Sequence, residues 1–221
     1  MALVISSNSA APIGSTTISN ISVSSAPTIV GTYSAVVASA NSTIGVWSGE
    51  QPSGSPITTC SVTDTSGSFT LTSNDQNFNN GIYTVGFIAD SSAANNSSVC
   101  ATATLFNGQA GNYQNTMLYI TGQTTSDGTT TLTVNYSTPN GTTPNTNSDC
   151  IDLFNSSTVV VPSSTNVPLV HYYIPTDANA GTVTITPSSP LSFGQTYVLE
   201  YNPGKTSTPI TAYCIFQFTE Q

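Results

Sequence analysis

Few side chains in this chain have the type and spacing to do chemistry, and oxygen donors dominate them. Asp127, in Ser126-Asp-Gly-Thr, together with Asp149, Asp152 and the nearby Asn147, offers carboxylate and amide oxygens from neighbouring loops at one end of a fold, which makes these residues the calcium candidates of an acidic chain. Their spacing is not that of an EF-hand, and the competing role for a turn Asp is to bond its own backbone. His171 is the only histidine. It shares one face of an alternating run with Leu169 and Tyr173, while Val170, Tyr172 and Ile174 share the other, which reads as a structural histidine on a strand. Asp149 and Asp152 are the two neighbouring acids of the second half, but they bracket Cys150, and a glycosidase pair must face each other across a cleft. No catalytic residue, no enzymatic activity and no cofactor are expected. Lys205, in Asn202-Pro-Gly-Lys, is the only side-chain amine and reads as a solvated loop lysine.

The charge balance excludes more than it suggests. Ten acids face one Lys and no Arg over 221 residues, for a net charge of −9, and charged residues make up 5% of the chain against about 25% in an ordinary soluble domain. Nothing can neutralise phosphates, so partners among nucleic acids and anionic membrane surfaces are excluded, as is the usual phosphate clamp of kinases and NTPases. The 37% hydrophobic and 9% aromatic content is too high for a disordered chain. Ser, Thr and Asn carry the solubility. The apolar run Ala2-Leu-Val-Ile5 is too short for a signal peptide or a membrane span, so no membrane insertion is expected.

The elements that must position these residues are strands. Thr131-Leu-Thr-Val-Asn-Tyr, Gly181-Thr-Val-Thr-Ile-Thr and Ser66-Gly-Ser-Phe-Thr-Leu-Thr place an apolar residue at every second position, and turn-forming clusters such as Ser126-Asp-Gly and Pro139-Asn-Gly separate such runs. About seven short strands per hundred residues predict an all-β fold of sandwich type. The second half also lays onto the first. Ser42-Thr-Ile-Gly-Val-Trp47 matches Asp149-Cys-Ile-Asp-Leu-Phe154, Gly67-Ser-Phe-Thr-Leu-Thr matches Gly181-Thr-Val-Thr-Ile-Thr, and Gly81-Ile-Tyr-Thr-Val matches Gly194-Gln-Thr-Tyr-Val-Leu. The reading is two tandem immunoglobulin-like β-sandwiches, 15–107 and 114–221, with a linker at 108–113 and an N-terminal extended segment at 1–14. Opening strands are expected at Thr17 to Ser24 and Thr116 to Thr121, second strands at Tyr33 to Ala38 and Thr130 to Tyr136. Trp47 and Phe154 are expected as core aromatics of the third strand, and Tyr83 and Tyr197 as tyrosine corners.

Cys60, Cys100, Cys150 and Cys214 are an even set without C-x-x-C spacing, which favours disulfides over a zinc or redox motif; four buried thiols are the alternative. The simplest of three connectivities is Cys60 with Cys100 and Cys150 with Cys214, each adding roughly 3 to 5 kcal/mol. Asn20, Asn41, Asn95, Asn96, Asn135, Asn140 and Asn155 begin glycosylation sequons, some of which chance alone supplies in so Asn-rich a chain.

Two resemblances follow from these residues. Asn147-Ser-Asp-Cys-Ile-Asp-Leu-Phe154 and Leu191-Ser-Phe-Gly-Gln-Thr-Tyr197 resemble the immunoglobulin-like modules of the SKICH type, which carry an Asp-Trp-Ile-Gly-Leu-Tyr core; Cys150 stands in place of the Trp and Asp152 in place of the Gly. Ile44-Gly-Val-Trp47 is a second partial copy. The resemblance implies a sandwich fold and an interaction or adhesion role. In composition the chain is similar to subunits of extracellular filaments and surface coats, some of which polymerise by donor-strand exchange. Leu3, Val4 and Ile5 are then the donor-strand candidates, apolar enough to fill a neighbour's groove; pairing within the chain is the alternative. Together these features predict an extracellular or cell-surface structural or adhesive protein that self-associates. The competing reading is a carbohydrate-binding module, with Tyr113, Tyr172 and Tyr201 as the aromatic candidates for glycans.

Overall fold

A computed structural model describes residues 11–91, 98–158, 160, 165–202, 204 and 214–219, of which 11–13 and 214–219 are described by their backbone alone. The fold is all-β. Its strands are β1 (Ala11–Ser15), β2 (Thr17–Ser25), β3 (Thr28–Ser34), β4 (Thr43–Ser48), β5 (Thr58–Ser61), β6 (Ser66–Thr72), β7 (Ile82–Ile88), β8 (Val99–Phe106), β9 (Gln109–Asn115), β10 (Met117–Ser126), β11 (Thr129–Ser137), β12 (Cys150–Phe154), β13 (Val170–Tyr173), β14 (Ala180–Ile185), β15 (Thr196–Asn202) and β16 (Cys214–Thr219), with one short helix, α1 (Pro144–Asn147). They form four antiparallel sheets in the orders β2-β3-β6, β5-β4-β7-β8-β9, β10-β11-β14 and β1-β16-β15-β12-β13. In each half, therefore, a three-stranded sheet accompanies a five-stranded one, with the fourth strand of that half at the edge of the larger sheet.

Alternation explains the faces. Along β11 the residues Leu132, Val134 and Tyr136 are buried and their neighbours Thr131, Thr133 and Asn135 are half-buried on the other side. Hairpin turns follow from sequence as well: Asn107-Gly108 and Asp127-Gly128 both hold two consecutive positive φ values, 50° with 78° and 50° with 77°, the geometry that closes a two-residue hairpin. The first of these turns corrects the expected linker. Asn107-Gly108 folds Gln109–Asn115 back onto β8, with Phe106 opposite Gln109 and Ala101 opposite Asn115, so 108–113 lies within a turn and a sheet strand. The second strand of the first half also lies earlier than expected, at Thr28–Ser34, because Ala26-Pro27 turns the chain between Ser25 and Thr28.

The two five-stranded sheets are completed crosswise. The strand that leads into the second half, β9, adds to β8, the last strand of the first half; the strand that leads into the first half, β1, adds to β16, the last strand of the second half. A single residue joins each donated strand to its own half, Thr16 after β1 and Thr116 after β9, and both are buried. Thr116 N–H donates to Cys100 O at 2.9 Å, and Thr16 Oγ1 accepts from Val36 N at 3.2 Å. Between the donated strands, Asn115 Nδ2 donates to Ser15 Oγ at 2.8 Å. Buried side chains of both halves belong to one contiguous hydrophobic cluster. Pro12, which has no N–H, sits on β1, an outer strand of its sheet where one ladder donor can be spared.

Trp47 and Phe154 are buried but not between the sheets. Along β4 and β12 they point to the outer face of the five-stranded sheets, and Trp47 forms a separate small cluster with Ile88 and Val99, its Nε1 donating to Gly54 O at 3.2 Å. Tyr197 makes the corner expected of it, its hydroxyl accepting from Ser192 N at 2.7 Å, whereas Tyr83 donates to Gln76 Oε1 at 3.4 Å. No helix among the described residues is long and apolar enough to cross a membrane.

Candidate functional site

The side chains with chemical potential collect on the outer face of the sheet β1-β16-β15-β12-β13. In β12, Cys-Ile-Asp-Leu-Phe, Ile151 and Leu153 enter the core, so Cys150 and Asp152 must point the other way. Register then sets their neighbours. Asp152 lies opposite His171 on β13 and opposite Glu200 on β15, and Cys150 lies opposite Tyr173 and Asn202 in the adjacent row. Directly opposed residues share a face, so six side chains form two rows across three strands.

His171 Nδ1 is 2.6 Å from Asp152 Oδ1, Asn202 Nδ2 donates to Asp152 Oδ2 at 2.8 Å, and the Cys150 thiol points to the same oxygen at 3.6 Å. The donor atoms of Cys150, Asp152 and His171 all lie within 4.8 Å of one another. Cys150, Asp152, Glu200 and Asn202 are buried, and His171 is exposed. Glu200 Oε1 accepts from Val160 N at 2.7 Å, which brings the connection between β12 and β13 over this face. Glu200 Oε2 and Asn202 Oδ1 have no hydrogen-bond partner among the described residues.

Electrostatics follow from burial without cations. Burial pushes the Glu200 carboxyl up to about 7, with the charge of Asp152 adding to the rise. Burial, then the neighbouring Asp152, pushes the Cys150 thiol far above its ordinary range, so it is no free thiolate nucleophile. Asp149 faces the opposite side of the strand: its Oδ2 accepts from the Tyr201 hydroxyl at 2.9 Å, and burial raises it to about 7.

The expected calcium set is not brought together. Asp127 occupies the tight turn at the far end of the β10–β11 hairpin from the segment holding Asn147 and Asp149, about 27 Å along a nine-residue strand. Asn147 accepts from Thr143 Oγ1 within its own turn at 3.4 Å, and Asp149 and Asp152 point to opposite faces. The disulfide pairing is also corrected. Cys60, Cys100 and Cys150 are free thiols. Three strand spacings, about 14 Å, separate the β5 and β8 backbones, and two, about 10 Å, separate β12 from β16, whereas a bridge needs Cα atoms within about 7 Å. This rules out Cys60 with Cys100 and Cys150 with Cys214 alike.

The internal repeat supplies a comparison that sequence reasoning missed. Gly45 lies opposite Thr59 and Gly86, as Asp152 lies opposite His171 and Glu200; Thr43 lies opposite Ile88, as Cys150 lies opposite Asn202. In the first half the Trp47 ring covers this face, so close that a Cβ added at Gly86 would stand 2.8 Å from its Cζ3. One fold position is thus filled by an indole over glycines in one half and by buried polar groups in the other. The i, i+2 spacing of Cys150 and Asp152 was readable beforehand, but pairing them with His171 and Glu200 requires the register.

A second feature is a groove of about 440 Å³ beside β2 and β9, lined by Ser19, Asn20, Tyr113, Gln114 and Asn115, with Tyr113 46% exposed. Of the other aromatic candidates, Tyr172 is half-buried against the core and Tyr201 is fully buried, which removes Tyr201 as a ligand platform. Asn20, Asn140 and Asn155 are exposed, and Asn41 and Asn135 are half-buried. Asn95, Asn96, Lys205 and the donor-strand candidates Leu3, Val4 and Ile5 lie outside the described residues. No protein-family model matches the chain, and no curated protein matches its sequence.

Proposed function

We propose that the chain is a structural or adhesive protein of the cell surface or extracellular space that assembles with copies of itself through its N-terminal strand. The observation that carries this reading is the addition of β1 to the edge of β16. A strand that adds to a sheet edge by its backbone ladder, tethered through one residue, pairs with the same edge of a second chain by the same hydrogen bonds, which is the low-cost route of domain swapping. Such assembly needs no charged side chains, in keeping with a chain that has one Lys and no Arg. The free thiols take disulfides out of the argument. The test compares the full chain with a variant lacking residues 1–15 by light scattering and electron microscopy. Full-length protein is expected to form concentration-dependent oligomers or filaments that the shortened, still β-folded variant does not. A monomer at high concentration in both cases rejects the reading.

A carbohydrate-binding role is the second reading, favoured by the groove at Tyr113. An exposed phenol ring beside the amides and hydroxyls of Asn20, Gln114, Asn115 and Ser19 suits the face and edge of a neutral sugar. Binding on a glycan array, weakened about tenfold or more by Tyr113→Ala in proportion to roughly 1.4 kcal/mol of lost contact, is the expected result for this reading; an array without binders rejects it.

A further inference from the structure

We propose that Cys150, Asp152 and His171 form a binding site for a single divalent ion of the zinc type. Three unlike donors, a thiol, a carboxylate and an imidazole, converge from β12 and β13 with their ligand atoms within 4.8 Å of one another. A thiol and an imidazole beside one carboxylate suit a borderline-soft ion held tetrahedrally, whereas calcium takes six to eight hard oxygens.

The second, independent observation is the unsatisfied polarity around these three. Asn202 is 3% exposed; its Nδ2 holds Asp152 Oδ2, and Oδ1 of the same amide has no partner among the described residues. Glu200, fully buried and directly opposite Asp152, has an Oε2 without a partner among the described residues. Buried polar groups without partners cost free energy, and at the positions of Asp152, Glu200 and Asn202 the first half carries Gly45, Gly86 and Ile88 under an overlying Trp47, with Thr43 Oγ1, at the position of Cys150, as its one unpartnered buried polar atom among the described residues. A divalent ion explains why the second half keeps carboxylate, thiol and amide at these positions. Held by the Cys150 thiolate, ionised Asp152 and neutral His171, it makes a site of zero net charge, and the buried Glu200 beside it further favours a cation.

Loading the ion releases the thiol proton of Cys150, and His171 binds through Nδ1 as the neutral tautomer with its ring proton on Nε2, so no redox partner is involved. The 2.6 Å His171–Asp152 pair opens to about 3.4 Å when both atoms bind one tetrahedral ion at about 2.1 Å, a movement that the exposed His171 ring can make.

Cobalt(II) titrated into the full, metal-stripped chain is the test. One equivalent is expected to bind with a thiolate-to-cobalt charge-transfer band, which zinc removes by competition and calcium does not. Cys150→Ser is expected to abolish the band, Cys60→Ser to leave it unchanged, and His171→Gln to weaken binding by at least the 10- to 100-fold that loss of an outer partner costs. His171 is exposed, so that variant keeps its fold and decides the matter if Cys150→Ser does not fold. Absence of equimolar binding by the folded chain overturns the proposal, as does displacement of cobalt by calcium, a band that survives Cys150→Ser, or unchanged affinity in His171→Gln.

Discussion

Stripped of metal ions, the protein is expected to lose several kcal/mol of unfolding free energy as pH rises from about 4 to about 8. Asp149 and Glu200 carry this dependence. Burial raises both to about 7 in the folded chain, from ordinary values of 3.8 and 4.5. Below the ordinary values both groups are protonated whether the chain is folded or not, and their contribution is fully present. Between the ordinary and raised values the unfolded chain releases its protons while the folded chain keeps them, so each pH unit there favours unfolding. Above about 7 the loss is complete, on the order of 4 kcal/mol for Asp149 and 3 kcal/mol for Glu200, each acting alone. The usual pattern, acid denaturation driven by paired carboxylates, is thereby inverted. Urea midpoints measured in chelator at pH 5 and pH 8 check it, with Asp149→Asn and Glu200→Gln each flattening part of the slope. A midpoint that rises toward pH 8 contradicts the assignment.

Trp47→Ala is expected to cost roughly 3 to 5 kcal/mol, the range for deleting a buried aromatic. The indole is 1% exposed and forms its own cluster with Ile88 and Val99, and its ring fills the space above Gly45 and Gly86. Those two glycines leave bare backbone under the ring, so only the bordering Pro56, Ile88 and Val99 side chains could relax into the gap, and Gly54 O loses the indole N–H. Denaturant unfolding of the variant gives the cost directly. A loss below about 1 kcal/mol would mean that the outer-face cluster is a surface ornament and that the inter-sheet core alone holds the first half.

Strand existence was legible because one face of nearly every strand is apolar, as at Leu132, Val134 and Tyr136. Pairing was not. Cys60 with Cys100 was the simplest pairing within the first half, but the order β5-β4-β7-β8 inserts two strands between them. The Asn107-Gly108 hairpin was visible as a dipeptide, and its polar sequel Gln109-Ala-Gly-Asn hid a strand because an edge strand with little burial needs no apolar alternation. Candidate ligands were half legible. Cys150 and Asp152 share a face by simple parity, but Glu200 is 48 positions beyond Asp152 in the chain, and only the β12–β15 register places the two side by side. His171 read as structural because its carboxylate partner lies on another strand.

The crosswise completion of the two large sheets also sets an order of events during synthesis. Among the described strands β1 comes first and its ladder partner β16 comes last, so their pairing waits until every strand between them has been made. Everything from β2 to β15 can pair before then, and closing so long a loop costs only about 0.6 kcal/mol more for each doubling of its length. Docking of β1 onto the edge of β16 can therefore follow the pairing of all the other strands. Until that step, β16 offers an open row of backbone donors and acceptors, and under the proposed strand exchange the outcome depends on whether its own β1 or that of a nearby chain arrives first. Crowding of chains on one messenger would then select assembly over closure, with no change of sequence.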